Sequence, residues 1–259
     1  KWEKNLNPAK PAEVLGELTM SSKEDTEQAI TAAQNAQHEW AKKTRPARGA
    51  IIQKTAEILK SRIDEIATML TKEEGKNLNE ARGEVMKAIN VLEFTASESR
   101  RATGKVIPSE MPNTFIYTTR APMGVVGLIT PWNFPVCIPA WKIAPALLEG
   151  NSIVFKPASL TPGTAVMIVK AYVDAGVPAG VLNLVHGGGS TVGMTIVNDP
   201  RVKVISFTGS NEVGRTINEA AAKRFARVQL EMGGKNPVIV LADADIDNAV
   251  DATVMGAFG

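Results

Sequence analysis

A single cysteine, Cys137, stands among 259 residues. That excludes an internal disulfide and a CxxC metal site. Histidine is almost as scarce, and His38 and His186 are too few and too far apart to point to a metal. This usage fits a reducing compartment, so the expected location is cytoplasmic. A charge imbalance is also lacking: 29 Lys and Arg stand against 27 Asp and Glu, for a net charge of +2. The footprint of a nucleic-acid-binding protein is therefore missing. The densest basic cluster, Lys42, Lys43, Arg45 and Arg48, has acidic neighbours and is expected to coat a helix end. No apolar run approaches the ~20 residues of a membrane-spanning helix. No signal-peptide pattern is visible, and no membrane partner is expected.

What is present is a globular composition, 44% apolar and 22% charged, with material for a sizeable core in one large domain or two smaller ones. The last residues, Val254 to Gly259, are an apolar stretch. Domains rarely stop inside an element, so the expectation is a piece of a longer chain.

The first part reads as helix. Ser22 is the expected N-cap of a helix from Lys23 to Lys43. Ile52, Ala56, Leu59, Ile63, Ile66 and Leu70 recur at steps of four and three, which puts them on one helical face. Val85, Ile89, Leu92 and Ala96 repeat the pattern. Between Gly104 and Pro122 the rhythm breaks. Phe115, Tyr117 and Thr119 alternate with their neighbours, as in one strand of an antiparallel pair or an extension leaving the body. Beyond Pro122, short β-branched runs alternate with helical stretches. The runs are Val125–Thr130, Ser152–Lys156, Val181–Val185, Val202–Phe207, Val228–Glu231 and Pro237–Leu241. Helices are expected over Pro139–Glu149, closed by Gly150, and over Thr161–Ala175, closed by Gly176. Such alternation predicts an α/β fold with a parallel sheet covered on both faces. Sheets of this kind bind ligands at the carboxyl ends of their strands.

The strand ends carry the candidates. Pro131-Trp132-Asn133-Phe134-Pro135 is a turn stiffened by two prolines. It can fix the Asn133 amide where it would stabilise an oxyanion, or Asn133 can simply cap its own turn. Lys156 ends the next run and can reach a ribose or phosphate, or be a solvated lysine. Thr208-Gly209-Ser210 opens a helix, and helix N–H groups at such a turn favour a phosphate. The G-x4-G spacing of Gly209 and Gly214 is neither a dinucleotide fingerprint nor a Walker loop. Gly187-Gly188-Gly189-Ser190 is a second glycine-rich strand end, or a flexible loop. Glu231 precedes two glycines, either as a general base tuned by burial or as an ion-pair partner of Lys235 or Arg227.

In order, these motifs are Pro-Trp-Asn-Phe-Pro (131–135), Trp-Lys-Ile-Ala-Pro-Ala-Leu (141–147), Gly-Asn-Ser-Ile-Val-Phe-Lys-Pro-Ala (150–158), Phe-Thr-Gly-Ser-x-x-Val-Gly (207–214) and Leu-Glu-x-Gly-Gly-Lys (230–235). Together they resemble the aldehyde dehydrogenase superfamily over essentially the whole chain. The resemblance implies a Rossmann-like doubly wound parallel sheet with N-terminal helices and an antiparallel oligomerisation arm. It implies a dinucleotide-binding domain over 1–103 and 123–232, part of the arm over 104–122, and the start of a catalytic domain over 233–259. The family reaction oxidises an aldehyde to an acid. A thiolate attacks the carbonyl, NAD(P)+ takes up a hydride, and activated water cleaves the thioester. The resemblance makes Asn133 the oxyanion donor, Glu231 the general base and Lys142 a lysine near the catalytic centre. Ile129, Thr130, Pro131 and Trp132 match the cofactor groove, and Lys156 matches the adenosine-ribose contact. Gly189 and Gly193 match the adenine side, Ser210 the pyrophosphate contact, and Val213 packs near the adenine. Ala158, Ser159, Phe207, Thr208, Gly209, Met232 and Gly233 are expected in the same groove. The implied partners are a small aldehyde, with the motifs closest in style to the semialdehyde-oxidising branch, and a homodimer or homotetramer.

Two departures qualify the resemblance. The family's nucleophile is expected after a helix beginning near Asp245, and no cysteine follows in this sequence. Cys137 occupies a position that is usually aliphatic and reads as a small buried hydrophobe. The chain alone is therefore expected to be inactive. Second, Ser159 stands three residues after Lys156, where NAD-preferring members often carry Glu. A hydroxyl tolerates a 2′-phosphate that a carboxylate repels, so NADP is expected to be accepted, and the expected cofactor is NADP or NAD. A non-catalytic dinucleotide-binding module is the alternative reading. A third, an acyl-transfer or reductase relative without the base, is opposed by Glu231.

Overall fold

The computed structural model describes residues 2–101 and 103–258. The chain opens with an antiparallel hairpin, β1 (Trp2–Asn7) and β2 (Lys10–Thr19), irregular on either side of Leu6. The helix expected for the first part of the chain therefore holds only from Lys23 on; the bulged register of the hairpin blurs the alternation that marks a strand.

Four helices follow. In α1 (Lys23–Lys42), the Ser22 hydroxyl accepts from Asp25 N–H at 3.1 Å and the Asp25 carboxylate accepts from Ser22 N–H at 2.8 Å, a reciprocal cap. The face expected to run unbroken from 52 to 70 is divided between α2 (Arg45–Ser61) and α3 (Ile63–Glu74). At Arg62 (φ −119°, ψ 19°) the N–H bonds back to Leu59 O, a tighter turn that ends α2. Periodicity survives the break, since Ile52, Ala56, Leu59, Ile66 and Leu70 still share one core. Asn77 caps α4 (Leu78–Ser97). The basic cluster does coat helix ends: Arg48 donates to the carbonyls of Ala41, Lys43 and Leu148, and Arg45 pairs with Glu149 at 2.7 Å.

Between the helices and the main sheet, β3 (Val106–Ile107) pairs antiparallel with β4 (Ile116–Tyr117), all four residues exposed. The main sheet then builds as expected. Its strands are β5 (Val125–Ile129), β6 (Ser152–Lys156), β7 (Leu182–Leu184), β8 (Val202–Gly209) and β9 (Arg227–Met232), in spatial order β7-β6-β5-β8-β9 and wholly parallel. The crossovers are α5 (Cys137–Leu148), α6 (Pro162–Ala175), α7 (Met194–Asn198) with a preceding π-helical turn at Gly189–Gly193, and α8 (Asn211–Ala222). Gly176 closes α6 at φ +107°, a left-handed cap that glycine adopts without strain.

Alternate strand residues face opposite layers. Val126, Leu128, Ile153 and Phe155 pack into the core shared with α2 to α6. Val154, Ile205 and Phe207 pack on the other face with Ile30 of α1, Ile196 of α7 and Ile217 of α8. This is the doubly wound, Rossmann-like arrangement. The direction of winding reverses between β5 and β8, which leaves a crevice at their carboxyl ends.

Two expectations fail on the β9 side. Pro237–Leu241 forms no strand: Val238 to Leu241 are exposed and pair with no strand among the described residues, although the outer edge of β9 stays open. Glu231 does not end a buried strand either, since β9 is an edge strand and Glu231 is exposed. The helix expected near Asp245 is α9 (Ile246–Phe258), whose first turn is capped by the Asp245 carboxylate and none of whose residues is buried. Among the described residues no helix is long and apolar enough to cross a membrane, and no cluster of candidate metal ligands occurs.

Candidate active site

The crevice is a cleft of about 500 Å³ at the ends of β5, β6 and β8. It is lined by Ile129, Thr130, Pro131 and Trp132 from the end of β5, and by Phe207, Thr208, Gly209, Ser210 and Val213 from the end of β8 and the start of α8. Lys156 and Ala158 lie at one end, beneath Gly189 and Gly193 of the π-helical turn. A Cβ on Gly193 would lie 3.7 Å from Cδ of Lys156, so the turn packs directly on the lysine stem. Most of these residues are among those expected in the groove. Met194, Val197, Thr216 and Ile217 also line it and were missed; they read as ordinary apolar or helical positions. Ser159 faces a neighbouring cavity instead, with His186 and the β1 hairpin, one residue beyond Ala158. Met232 borders a different cavity, and Gly233 lines neither, its carbonyl accepting from Asn211 Nδ2 at 3.0 Å.

The donors in the cleft suit a dinucleotide. Lys156 is buried, and burial holds its pKa below the ordinary lysine value. Its ammonium gives one hydrogen bond, to Pro157 O at 3.0 Å, out of the three it can donate. Thr130 Oγ1 is buried without a partner. At the start of α8, Ser210 Oγ takes the N–H of Val213, while the N–H groups of Asn211 and Glu212 have no acceptor within the helix. Gly214 lets this helix sit against β9, since a Cβ there would come within 2.4 Å of Met232 Sδ. Unused hydroxyl, ammonium and helix N–H donors around an apolar slot are what ribose, phosphate and a flat ring require.

Next to the cleft lies a second cavity, of about 610 Å³, and Thr208 lines both. Here the fold brings Lys142 and Glu231 together, with Ser206 and Gln229 between them. Lys142 Nζ donates to Ser206 Oγ at 2.7 Å and to Gln229 Oε1 at 3.0 Å; Gln229 Nε2 donates to Glu231 Oε1 at 2.7 Å. Burial pushes the Lys142 ammonium down to about 8, against a smaller opposing pull from Glu231. Glu231 forms no ion pair with Lys235 or Arg227 among the described residues. Ser206 and Gln229 are not among the residues expected at the site. The available signal was spacing: Gln229 stands two residues before Glu231 on the same strand face, and Ser206 is its partner in register.

Asn133 lines neither cavity. It is exposed on the turn between β5 and α5, and that turn is held from behind. Lys76 Nζ donates to Asn133 O at 2.9 Å and to Glu84 Oε2 at 2.6 Å, and sits 4.1 Å from the centroid of Phe134. The other Glu84 oxygen accepts from the N–H groups of Val136 and Cys137, a carboxylate at the positive end of α5. These two residues lie on and before α4, far away in sequence, and nothing local marks them. Cys137 is fully buried, and burial with Glu84 nearby raises its thiol to about 11. It is the small core residue that was expected.

The profile of the family described as "Aldehyde dehydrogenase family" matches residues 2–259. The chain belongs to the aldehyde dehydrogenase family. Among related aldehyde dehydrogenases, it is 50% identical over 252 residues to the alpha-ketoglutaric semialdehyde dehydrogenase of Bacillus subtilis, covering 97% of this chain and 52% of that protein. It is 44% identical to the 2,5-dioxopentanoate dehydrogenase of Saccharolobus solfataricus, over 98% of this chain and 54% of that protein. A solved betaine aldehyde dehydrogenase of Staphylococcus aureus in complex with NAD+ superposes with a TM-score of 0.96 at 36% identity, covering 100% of this chain and 51% of its own. The chain therefore spans about half the length of the aldehyde dehydrogenases it matches.

Proposed function

We propose that this chain is the dinucleotide-binding half of an NAD(P)+-dependent dehydrogenase that oxidises a semialdehyde to a carboxylic acid. The carrying observation is the cleft, where the Lys156 ammonium, the Thr130 hydroxyl and the α8 N-terminus offer unused donors around an apolar slot. The names of the Bacillus and Saccharolobus relatives support the substrate class, and the complex of the Staphylococcus enzyme with NAD+ supports the cofactor.

In this reading Lys156 binds a ribose hydroxyl and the α8 N–H groups bind the pyrophosphate. A bound nicotinamide dinucleotide supplies the two-electron oxidant. Glu231 takes a proton from the attacking water, Lys142 stabilises charge beside it, and the Asn133 amide donates to the oxyanion. The attacking thiolate is not Cys137, because that thiol is buried and resists ionisation. Residues 1–103 and 123–232 serve as the cofactor domain. The exposed apolar pair β3–β4 within 104–122 serves as part of an oligomerisation arm, and 233–259 begins a catalytic domain; the full exposure of α9 supports the last assignment. A homodimer or homotetramer in the cytoplasm completes the picture.

The test is titration of the chain with NAD+ and NADP+, followed through the fluorescence of Trp132, which is half exposed in the cleft. Saturable quenching by either cofactor is expected, with no NAD(P)H formed on adding 2-oxoglutarate semialdehyde. Absence of binding would overturn the cofactor reading. Steady turnover would overturn the assignment of Cys137 as a core residue.

A further inference from the structure

The register of β8 on β9 sets Ser206 opposite Gln229 and Thr208 opposite Glu231. Residues two apart share a strand face, so all four side chains meet Lys142 in one cavity. The amide of Gln229 lies between the two charged groups, with its carbonyl toward the ammonium and its NH2 toward the carboxylate. The opposite orientation would set two donors together at Lys142 and two acceptors together at Glu231, so the charges themselves fix the amide. Ser206 Oγ closes the third side by bonding both Lys142 and Gln229 Oε1. As a result Lys142 and Glu231 share a cavity without touching.

We infer that Gln229 is a positioning residue: it holds Glu231 off Lys142, so that the two remain a separate acid and base and do not collapse into an ion pair. An amide does not ionise and passes no proton readily, so it insulates while it aligns. A direct ammonium–carboxylate contact would favour the charged form of both partners. Kept apart, Lys142 is governed by its own desolvation, which is why its ammonium sits at about 8. The other charged groups near Lys142 do not replace Glu231. Arg120 and Glu149 line a separate cavity that Lys142 also borders, and Glu149 is already paired with Arg45. From α4, Glu84 faces the first turn of α5 and Lys87 lies over Trp141. The inference builds on the reading of Lys142 and Glu231 as reaction-site groups, but its test measures a lysine titration and needs no turnover. It can therefore fail while that reading stands, and the reverse.

The experiment is pulse acetylation of the chain across a pH series, with the Lys142 peptide quantified by mass spectrometry. The unmodified chain is expected to give a midpoint of about 8. In Gln229→Ala, and in the length-preserving Gln229→Met, Glu231 is free to close on the ammonium. The midpoint should then rise by about one pH unit, a tenfold change in proton affinity. Adding Glu231→Gln to either variant should return it to the parental value. Gln229→Glu places a carboxylate against Lys142 and should raise the midpoint at least as far. A midpoint that stays or falls in both Gln229→Ala and Gln229→Met overturns the inference, as does an unchanged midpoint in Gln229→Glu. Far-UV circular dichroism on each variant separates a shifted titration from a lost fold.

Discussion

Two strands of the same sheet carry a charged group near their carboxyl ends, and their surroundings are opposite. β6 is buried at all five positions, flanked by β5 and β7 and covered on both faces, so Lys156 leaves the core with its stem fixed. β9 has one neighbour, exposes alternate residues, and presents Glu231 to a cavity open on one side. The Lys156 side is therefore organised by packing within these residues. On the other side Val228 and Leu230 pack inward, but the polar groups are held by hydrogen bonds through Ser206, Gln229 and Lys142. Packing fixes geometry at the level of rotamers, whereas a single amide can be released by one substitution.

The sharpest test of that contrast is to empty each strand. Phe155→Ala in β6 removes a fully buried ring between two layers and should cost about 3 to 5 kcal/mol. Leu230→Ala in half-exposed β9 should cost about 1 kcal/mol. Urea melts of both variants measure the difference, and equal losses would mean that β9 is as much core as β6. The buried side also carries its own reporter. With its thiol raised to about 11, Cys137 should alkylate on the order of 10² more slowly at pH 8 than an unfolded cysteine. The rate should climb about tenfold per pH unit up to about 11 if the native thiolate reacts, since the anion grows as pH approaches the raised value. A rate that is flat above about pH 9 would instead mean that labelling proceeds through opening of the α4–α5 contact. Smaller again is the effect on binding. On the proposed reading, Lys156→Ala removes a charge-assisted hydrogen bond to the nucleotide worth about 1.5 to 3 kcal/mol, so affinity should fall roughly 10- to 150-fold. Glu231→Gln should leave it unchanged within about twofold. If the Glu231 variant binds as weakly as the Lys156 variant, the division between the two strand ends is not functional.

The same division explains which features could be read from sequence. The β5, β6 and β8 runs, the Ser22 cap and the Gly176 stop are local signals, and each appears where the pattern placed it. The cleft followed, because strand ends are fixed once the strands are. Pro237–Leu241 misled, since β-branched composition marks a segment that can form a strand and says nothing of whether a partner stands beside it. The support behind the Asn133 turn was illegible for a related reason. Lys76 and Glu84 act through contacts 57 and 52 residues distant in sequence, which no short window contains.

The smallest expected effect concerns Ser159, which sits one residue outside the cleft. Its neighbour Ala158 lines the cleft, while Ser159 itself is exposed toward the cavity shared with His186 and Lys4. A carboxylate at this exposed point would act on a 2′-phosphate through partly screened Coulomb repulsion, worth about 0.5 to 1.4 kcal/mol. Ser159→Glu should therefore weaken NADP+ roughly 2- to 10-fold and leave NAD+ nearly unchanged, both measured by Trp132 quenching. Because the effect is long-range and solvent-exposed, it should shrink as salt is raised from about 0.01 M to about 1 M, where the screening length falls from ~30 Å to ~3 Å. A loss that is equal for the two cofactors would mean that the substitution disturbs the Lys156–Ala158 turn and not the phosphate. A loss specific to NADP+ but indifferent to salt would mean direct contact, and would put Ser159 inside the cleft when the nucleotide is bound.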